Sequence, residues 1–301
     1  MKWFGVAKRR NYKGYLFVLP WIVGFVIFFA YPLYQSLRYA TSNVRVTGQG
    51  IRMEAAGMEN FSYIFTRDIY FVERLRAFFV NTVLSLPVIL VFSLIIAMLI
   101  NQKIKMKGLF RSLFFLPIIV VSGPVLRMIM EDGATTAPLI ERYGIYSLIE
   151  EYLPMILQEP IAYLFSQLIM ILWYSGVPIL IFLSGLQKID KGIYEASLID
   201  GASKWVAFWK ITLPAIRSMV LINAVYSVVF LASSEINEVV ILIRNNMMNP
   251  NTGYGIASAM AWAYSLGVVL LLALCWLLMG REKKVRARVI LTRQEAMRYE
   301  K

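Results

Sequence analysis

Apolar residues gather into six long runs, at 15–37, 78–100, 109–130, 161–183, 215–243 and 256–279, with polar stretches of unequal length between them. A helix needs about 20 residues to cross a bilayer, and each run reaches that length. In hydrocarbon every backbone N–H and C=O must be satisfied within the chain, so helices are the expected form. The pattern predicts an all-α polytopic membrane protein with six transmembrane helices in one domain covering 1–301. The connections at about 38–77, 131–160 and 244–255 then fall on one side of the membrane. The connection at about 184–214 and a basic tail at 280–301 fall on the other.

Composition agrees with a membrane protein. The chain is 59% apolar with a mean hydropathy of +0.63, against about 45–50% apolar for a soluble domain. Its net charge of +13 does not point to nucleic acid here, because basic residues flanking spans mark the cytoplasmic side. Lys2, Lys8, Arg9, Arg10 and Lys13 precede the first run, and Lys103, Lys105, Lys107 and Arg111 lie between the second and third. Lys188, Lys191, Lys204, Lys210 and Arg217 surround the fourth connection, and eight more follow Gly280. The connection at 131–160 is acidic, with six carboxylates against Arg142 alone. Both termini and the 184–214 connection are therefore expected in the cytoplasm. The 38–77 connection carries six basic residues against this trend, but charge bias weighs less in long loops. The first run is longer than the apolar core of a signal peptide and lacks a small-residue cleavage site, so it is expected to be a retained span.

The chain has no histidine, and its single cysteine, Cys275, lies inside an apolar run. An intrachain disulfide is excluded, most catalytic constellations are missing, and no catalytic or metal-binding residue is assigned. No phosphate-binding G-x-x-x-x-G-K-[ST] loop occurs, so a pump built on this chain would hydrolyse ATP elsewhere.

The mixed-polarity stretch Tyr194–Pro214 sits between two of the most apolar runs. It reads as helix, turn, helix. Glu195, Ala196, Ser197 and Leu198 favour a helix, Asp200 and Gly201 interrupt it, and residues 202–211 can be helical again. Trp205, Phe208 and Trp209 share a face, and Pro214 suits the start of the next helix. A solvated loop with interfacial aromatics and a docking element for a soluble partner are both open readings of these residues.

Glu195, Ala196, Ser197, Gly201, Ile211, Leu213 and Pro214 carry the spacing E-A-A, three residues, G, nine residues, I, one residue, L-P. This resembles the EAA loop of binding-protein-dependent ABC importer permeases, with Ser197 at the third small position. Asp200–Ser203 and Phe208–Pro214 are most similar to the sugar-type, maltose-transporter class. So are 14–37, 60–87 with its Asn81-Thr82 pair, 107–125 and 253–262, and together these cover most of the chain. Two connections depart from that class. Residues 244–255 are short and lack a Gly-Gly-Pro element, and 131–160 holds an unfamiliar acidic segment.

The resemblance implies a type I ABC importer permease fold in a bacterial cell membrane. It implies a second permease subunit, a cytoplasmic ABC ATPase dimer holding ATP and Mg, and an extracellular or periplasmic solute-binding protein delivering a carbohydrate. This chain would hold no cofactor. The 184–214 connection would be the coupling loop, with Glu195, Ala196, Ser197, Asp200, Gly201, Ala202, Trp205, Phe208, Ile211, Leu213 and Pro214 at the ATPase. Glu195 would meet a cation in the ATPase cleft, Gly201 would permit close approach, and Trp205 and Phe208 would fill an apolar pocket.

Asn223, Ser227, Phe230, Ser234 and Glu238 recur at helical spacing along the fifth run. Polar groups in lipid are costly, so this stripe is expected to face the bundle or a wet cavity. Gln167 and Tyr174 on the fourth run can join it. Polar residues and a flat ring together suit a sugar, although helix–helix packing uses the same residue types. Prolines 87, 117, 124 and 178 are expected to kink spans. A stand-alone secondary transporter is the alternative, but such folds usually show internal repeats and none is evident. A membrane enzyme is further away, for lack of catalytic groups.

Overall fold

The computed structural model describes residues 5–47, 50–102, 108, 145–166, 168–249 and 253–280. The 109–130 run, Arg127, Pro117, Pro124, Gln167 and the tail after Gly280 lie outside the described residues. Among the described residues the chain is largely helical. Four helical stretches are long and apolar enough to cross a membrane: Tyr15–Ala40, Ile69–Asn101, Arg217–Met248 and Gly253–Met279. The chain divides into two compact units, Met1–Phe79 with Glu235–Gly267, and Val80–Ser234 with Val268–Lys301.

The first unit opens with α1 (Gly5–Phe25), a π turn (Val26–Ala30) and α2 (Tyr31–Ala40). Pro32 follows the π turn by two residues. Its ring and missing N–H exclude the regular bond to the i−4 carbonyl, and a widened turn accommodates it. Nearly every side chain from Tyr15 to Leu37 is exposed around the whole helix, as a helix surrounded by lipid or partner requires. The helix ends where the Thr41 hydroxyl donates to Leu37 O at 3.3 Å and Arg38 O at 3.2 Å.

The connection at 38–77, expected as a loop in an all-α chain, is instead structured. Strands β1 (Ser42–Thr47) and β2 (Gly50–Ala55) pair antiparallel, with Val44 opposite Met53 and Arg45 opposite Arg52. Helix α3 (Glu59–Thr66) follows. Helix α4 (Ile69–Asn101) begins nine residues before the 78–100 run, where the Asp68 carboxylate accepts from Phe71 N at 3.0 Å. At about 1.5 Å per residue its 33 residues extend about 50 Å, well past a hydrocarbon core of about 30 Å. The helix passes through Pro87 without interruption.

Further along, the described residues form α5 (Ile145–Tyr152), α6 (Met155–Ser166), α7 (Leu168–Tyr174) and α8 (Gly176–Leu186). The expected fourth span is therefore built from pieces rather than one long helix. Ser175 breaks it ahead of Pro178: the Ser175 hydroxyl donates to Ile171 O at 2.7 Å and its carbonyl accepts from Ser93 Oγ at 3.4 Å.

After α9 (Lys191–Ile199), α10 (Lys204–Ala207), a second π turn (Phe208–Thr212) and α11 (Leu213–Ala215), α12 covers Arg217–Ser233. The fifth run, expected to be one helix through Ile243, stops there. Residues 234–237 are non-helical, and α13 (Glu238–Met248) restarts under a cap in which Asn237 Oδ1 accepts from Val239 N at 3.0 Å. The first part of the 244–255 connection is thus helical. The last span is α14 (Gly253–Met279).

The core of the second unit joins Leu86, Leu90 and Ala97 of α4, Ile179, Phe182, Leu183 and Leu186 of α8, and Ile216, Ala224 and Val228 at α12, with Cys275 from α14. A Cβ on Gly185 would lie 2.6 Å from Met219 Cγ, so α8 and α12 approach through a site where only hydrogen fits. Small residues serve this purpose between membrane helices. Arg217 Nε donates to the last carbonyl of α14, Met279 O, at 3.3 Å, a favourable place for a cation.

Candidate functional site

The polar stretch after α8 is a helix–turn–helix held by short-range bonds. Asp190 caps α9, its Oδ1 accepting from Gly192 N at 3.0 Å. The helix ends in a left-handed turn at Gly201, φ +77°. Gly201 N donates to Leu198 O at 3.1 Å and Ala202 N to Ser197 O at 2.9 Å, the two bonds of a glycine-terminated helix end. Asp200 occupies the C-cap position. Ser203 then caps α10, its Oγ accepting from Val206 N at 3.3 Å. The second helix therefore starts at Lys204 rather than at Ala202. The two arms are stapled by a 2.8 Å hydrogen bond between Tyr194 Oη and the buried Thr212 Oγ1.

This frame fixes what the stretch presents. Glu195 and Ala196 are exposed, and the Ser197 hydroxyl turns back to Tyr194 O at 2.8 Å. Ile199 is 87% exposed and Trp205 69%, beside exposed Leu198, Val206 and Trp209. Trp205, Phe208 and Trp209 form one aromatic cluster with centroids 5.2 to 6.2 Å apart. Ile211 and Leu213 are half-buried and Pro214 is exposed. A contiguous apolar surface on an otherwise polar loop marks a contact site. A Cβ at Gly201 would meet nothing within 4 Å, so its own chain demands glycine there only for the backbone angle.

In the second unit the structure brings together five of the seven residues read as a polar pathway. Asn223 is fully buried on α12, and its amide donates to Pro178 O at 3.2 Å. Among the described residues, Asn223 Oδ1 and Ser227 Oγ are buried without a hydrogen-bond partner. One and two turns further on, Phe230 stacks on Tyr226 at 5.7 Å and meets Tyr174 edge-on at 5.6 Å. Ser234 shares a side-chain hydrogen bond with Tyr174. Unsatisfied buried acceptors beside aromatic faces can receive a hydroxylated solute. Tyr226 was not singled out by spacing from Asn223, but it stands four residues before Phe230, where helix rings meet.

Glu238 does not continue this stripe. The helix ends at Ser233, so Glu238 opens a separate helix in the first unit. There its carboxylate lies 3.8 Å from Arg74 Nε, and its backbone oxygen accepts from Arg74 Nη1 at 3.4 Å. Asn237 beside it donates to Tyr264 Oη at 2.7 Å, and Tyr264 packs edge-on against Phe78. The signal for this break was present in the sequence: an Asn cap followed by an acidic first-turn residue. Gln167 lies outside the described residues. Among the described residues no group of three His, Cys, Asp or Glu is placed to hold a metal.

Residues 70–289 match the family of binding-protein-dependent transport system inner membrane components. The probable ABC transporter permease YesP of Bacillus subtilis is 32% identical over 226 residues, covering 72% of this chain and 69% of that protein. The lactose transport permease LacF of Rhizobium radiobacter is 30% identical over 236 residues, covering 73% and 74%. Among solved structures, a bacterial ABC transporter involved in import of the acidic polysaccharide alginate superposes with a TM-score of 0.64 at 17% identity, over 92% of this chain and 98% of that one. The bacterial alginate transporter in complex with its pentasaccharide-bound periplasmic protein gives 0.65 at 16% identity, over 89% and 93%. At such identity these two speak to the fold.

Proposed function

The chain belongs to the family of binding-protein-dependent transport system inner membrane components, and on that premise we propose that it conducts a carbohydrate through an ATP-driven importer. It is a permease subunit and not an enzyme; ATP is hydrolysed on a separate subunit. Lactose, multiple-sugar and arabinooligosaccharide systems occur among its relatives, as does a glycerol-3-phosphate system. The observation that carries the reading is the capped helix–turn–helix with its exposed apolar face. It puts Glu195, Gly201 and Trp205 on a surface that no solvated loop needs.

In this reading six helices cross the membrane, the fourth from the pieces between Met155 and Leu186 and the third from residues 109–130. Both termini and the 190–214 element face the cytoplasm, and a second permease completes the pathway. Closure of the ATPase dimer carries the docked helices with it. The motion enters α12 through Ile216, a core residue of the second unit. ATP drives this because it binds the closed dimer better. Moving a two-state equilibrium from 1:99 to 99:1 takes about 5.5 kcal/mol of differential affinity. The pathway residues are Asn223, Ser227, Phe230, Ser234 and Tyr174, with Gln167 and Glu238 outside this cluster.

Reconstitution tests the reading. The assembled transporter, in vesicles with ATP on the ATPase side, is given its solute-binding protein and a mixed pool of neutral and acidic oligosaccharides. Mass spectrometry of the vesicle lumen should show selective uptake that requires both ATP and the binding protein. Uptake of no saccharide above the ATP-free control overturns the carbohydrate assignment.

A further inference from the structure

We propose that the β-hairpin at 42–55 docks an acidic face of the solute-binding protein, with Arg45 and Arg52 as its charged contacts and Ile51 and Met53 as its apolar ones. The inference rests on the importer reading and on the outward placement of the first connection.

The hairpin is built to be held at its base and open at its tip. A Cβ on Gly255 would lie 2.5 Å from Ser42 O, and one on Gly253 would lie 3.0 Å from Val44 O. The backbone of β1 therefore rests directly on the start of the last span. The Asn60 amide donates to Ala40 O and Ser42 O, both at 3.0 Å, and Ala56 N donates to Thr41 O at 3.0 Å. A two-stranded hairpin alone is marginal in water; this one is fixed by the ends of two spans. Beyond that base it has little cover. Every residue of β2 is exposed, Ile51 and Met53 among them.

The register sets the chemistry. Arg45 stands directly opposite Arg52, and Asn43 opposite Glu54. Directly paired side chains have Cβ atoms about 4.5–5.5 Å apart, where like charges oppose folding. Two exposed guanidinium groups so placed are relieved by carboxylates arriving from outside, which arginine grips through two parallel N–H bonds. The wider connection agrees. All six cations between residues 38 and 77 are arginine and none is lysine, whereas lysines 103, 105, 107, 188, 191, 204 and 210 serve the opposite side. General attraction to anionic headgroups is served by either residue. Protein interfaces enrich arginine and methionine and deplete lysine, which favours a protein partner over the lipid surface.

The test uses the whole transporter in nanodiscs of neutral lipid and, separately, of lipid with an anionic fraction. Binding of the solute-binding protein encoded with it is measured across salt concentrations, with and without cargo. Wild-type affinity should fall as salt rises. Arg45→Glu/Arg52→Glu should weaken binding at least about tenfold and flatten the salt dependence. Arg45→Gln/Arg52→Gln removes the repulsion within the hairpin, so weakened binding there shows lost contact rather than lost folding. Ile51→Ser/Met53→Ser should weaken binding with the salt dependence retained, and basal ATPase activity should not change in any of these. Wild-type affinity in both arginine variants overturns the proposal. So does a loss confined to anionic nanodiscs, which assigns the arginines to lipid, or to cargo-loaded receptor, which assigns them to the cargo. Failure of the wild type to bind the receptor at any salt would sink the importer reading itself, and the hairpin role with it.

Discussion

Gly201 separates two demands that a coupling turn can make. Its φ of +77° costs an ordinary L residue about 1–2 kcal/mol, whereas Asn adopts the left-handed region more readily. Gly201→Val should reduce ATPase co-purification strongly. Gly201→Asn should retain it if the backbone angle is the requirement, and lose it if the partner's backbone must approach within the space a side chain would fill. Glu195 is exposed and outside the fold's own bonding, so Glu195→Ala should leave the melting temperature unchanged while uptake in vesicles drops; unchanged uptake removes its proposed ion pair. Residues such as these were legible because their surroundings are local: Asp190, Gly201, Ser203 and Thr212 act within a few residues or one short turn. Asn223 was legible as polar, but its bond to Pro178 O depends on a helix 45 residues away, which no local pattern records.

Between elements, the tightest contact is where α8 meets α12. Gly185→Val would drive a branched side chain into Met219, and overpacking of this kind typically costs about 1–3 kcal/mol. A fall in thermal stability of the purified complex is expected, with recovery in Gly185→Val/Met219→Ala. Lack of recovery would place the strain elsewhere. The helical runs were predictable at this scale because lipid exposure leaves long apolar stretches. The interruptions and the hairpin were harder. Residues 42–55 form strands because Asn60 and the glycines that open α14 clamp them, an arrangement invisible to propensity. The break at 234–237 hides inside an apolar stretch and shows only in its cap.

At the scale of the whole molecule, orientation is the property on which the rest turns. Cys275 is the chain's single cysteine and is buried, so Cys275→Ala supplies a background for placing new thiols. In right-side-out vesicles, Met53→Cys should react with a membrane-impermeant maleimide at once, and Ile199→Cys only after permeabilisation. The reverse order would invert the topology. Both sites are exposed, at 39% and 87%, so access rather than burial decides the result. The widened turn at Phe208–Thr212 carries one residue more than an α-helix would use over the same rise. Removing Lys210 should restore ordinary winding, and each residue in such winding turns the axis by roughly 100°. The indole of Trp205 would then point to another compass bearing while every chemical group that the ATPase meets, apart from one lysine, stayed in place. A shortened chain of that kind would still assemble and still span, yet its oar would be feathered against the stroke.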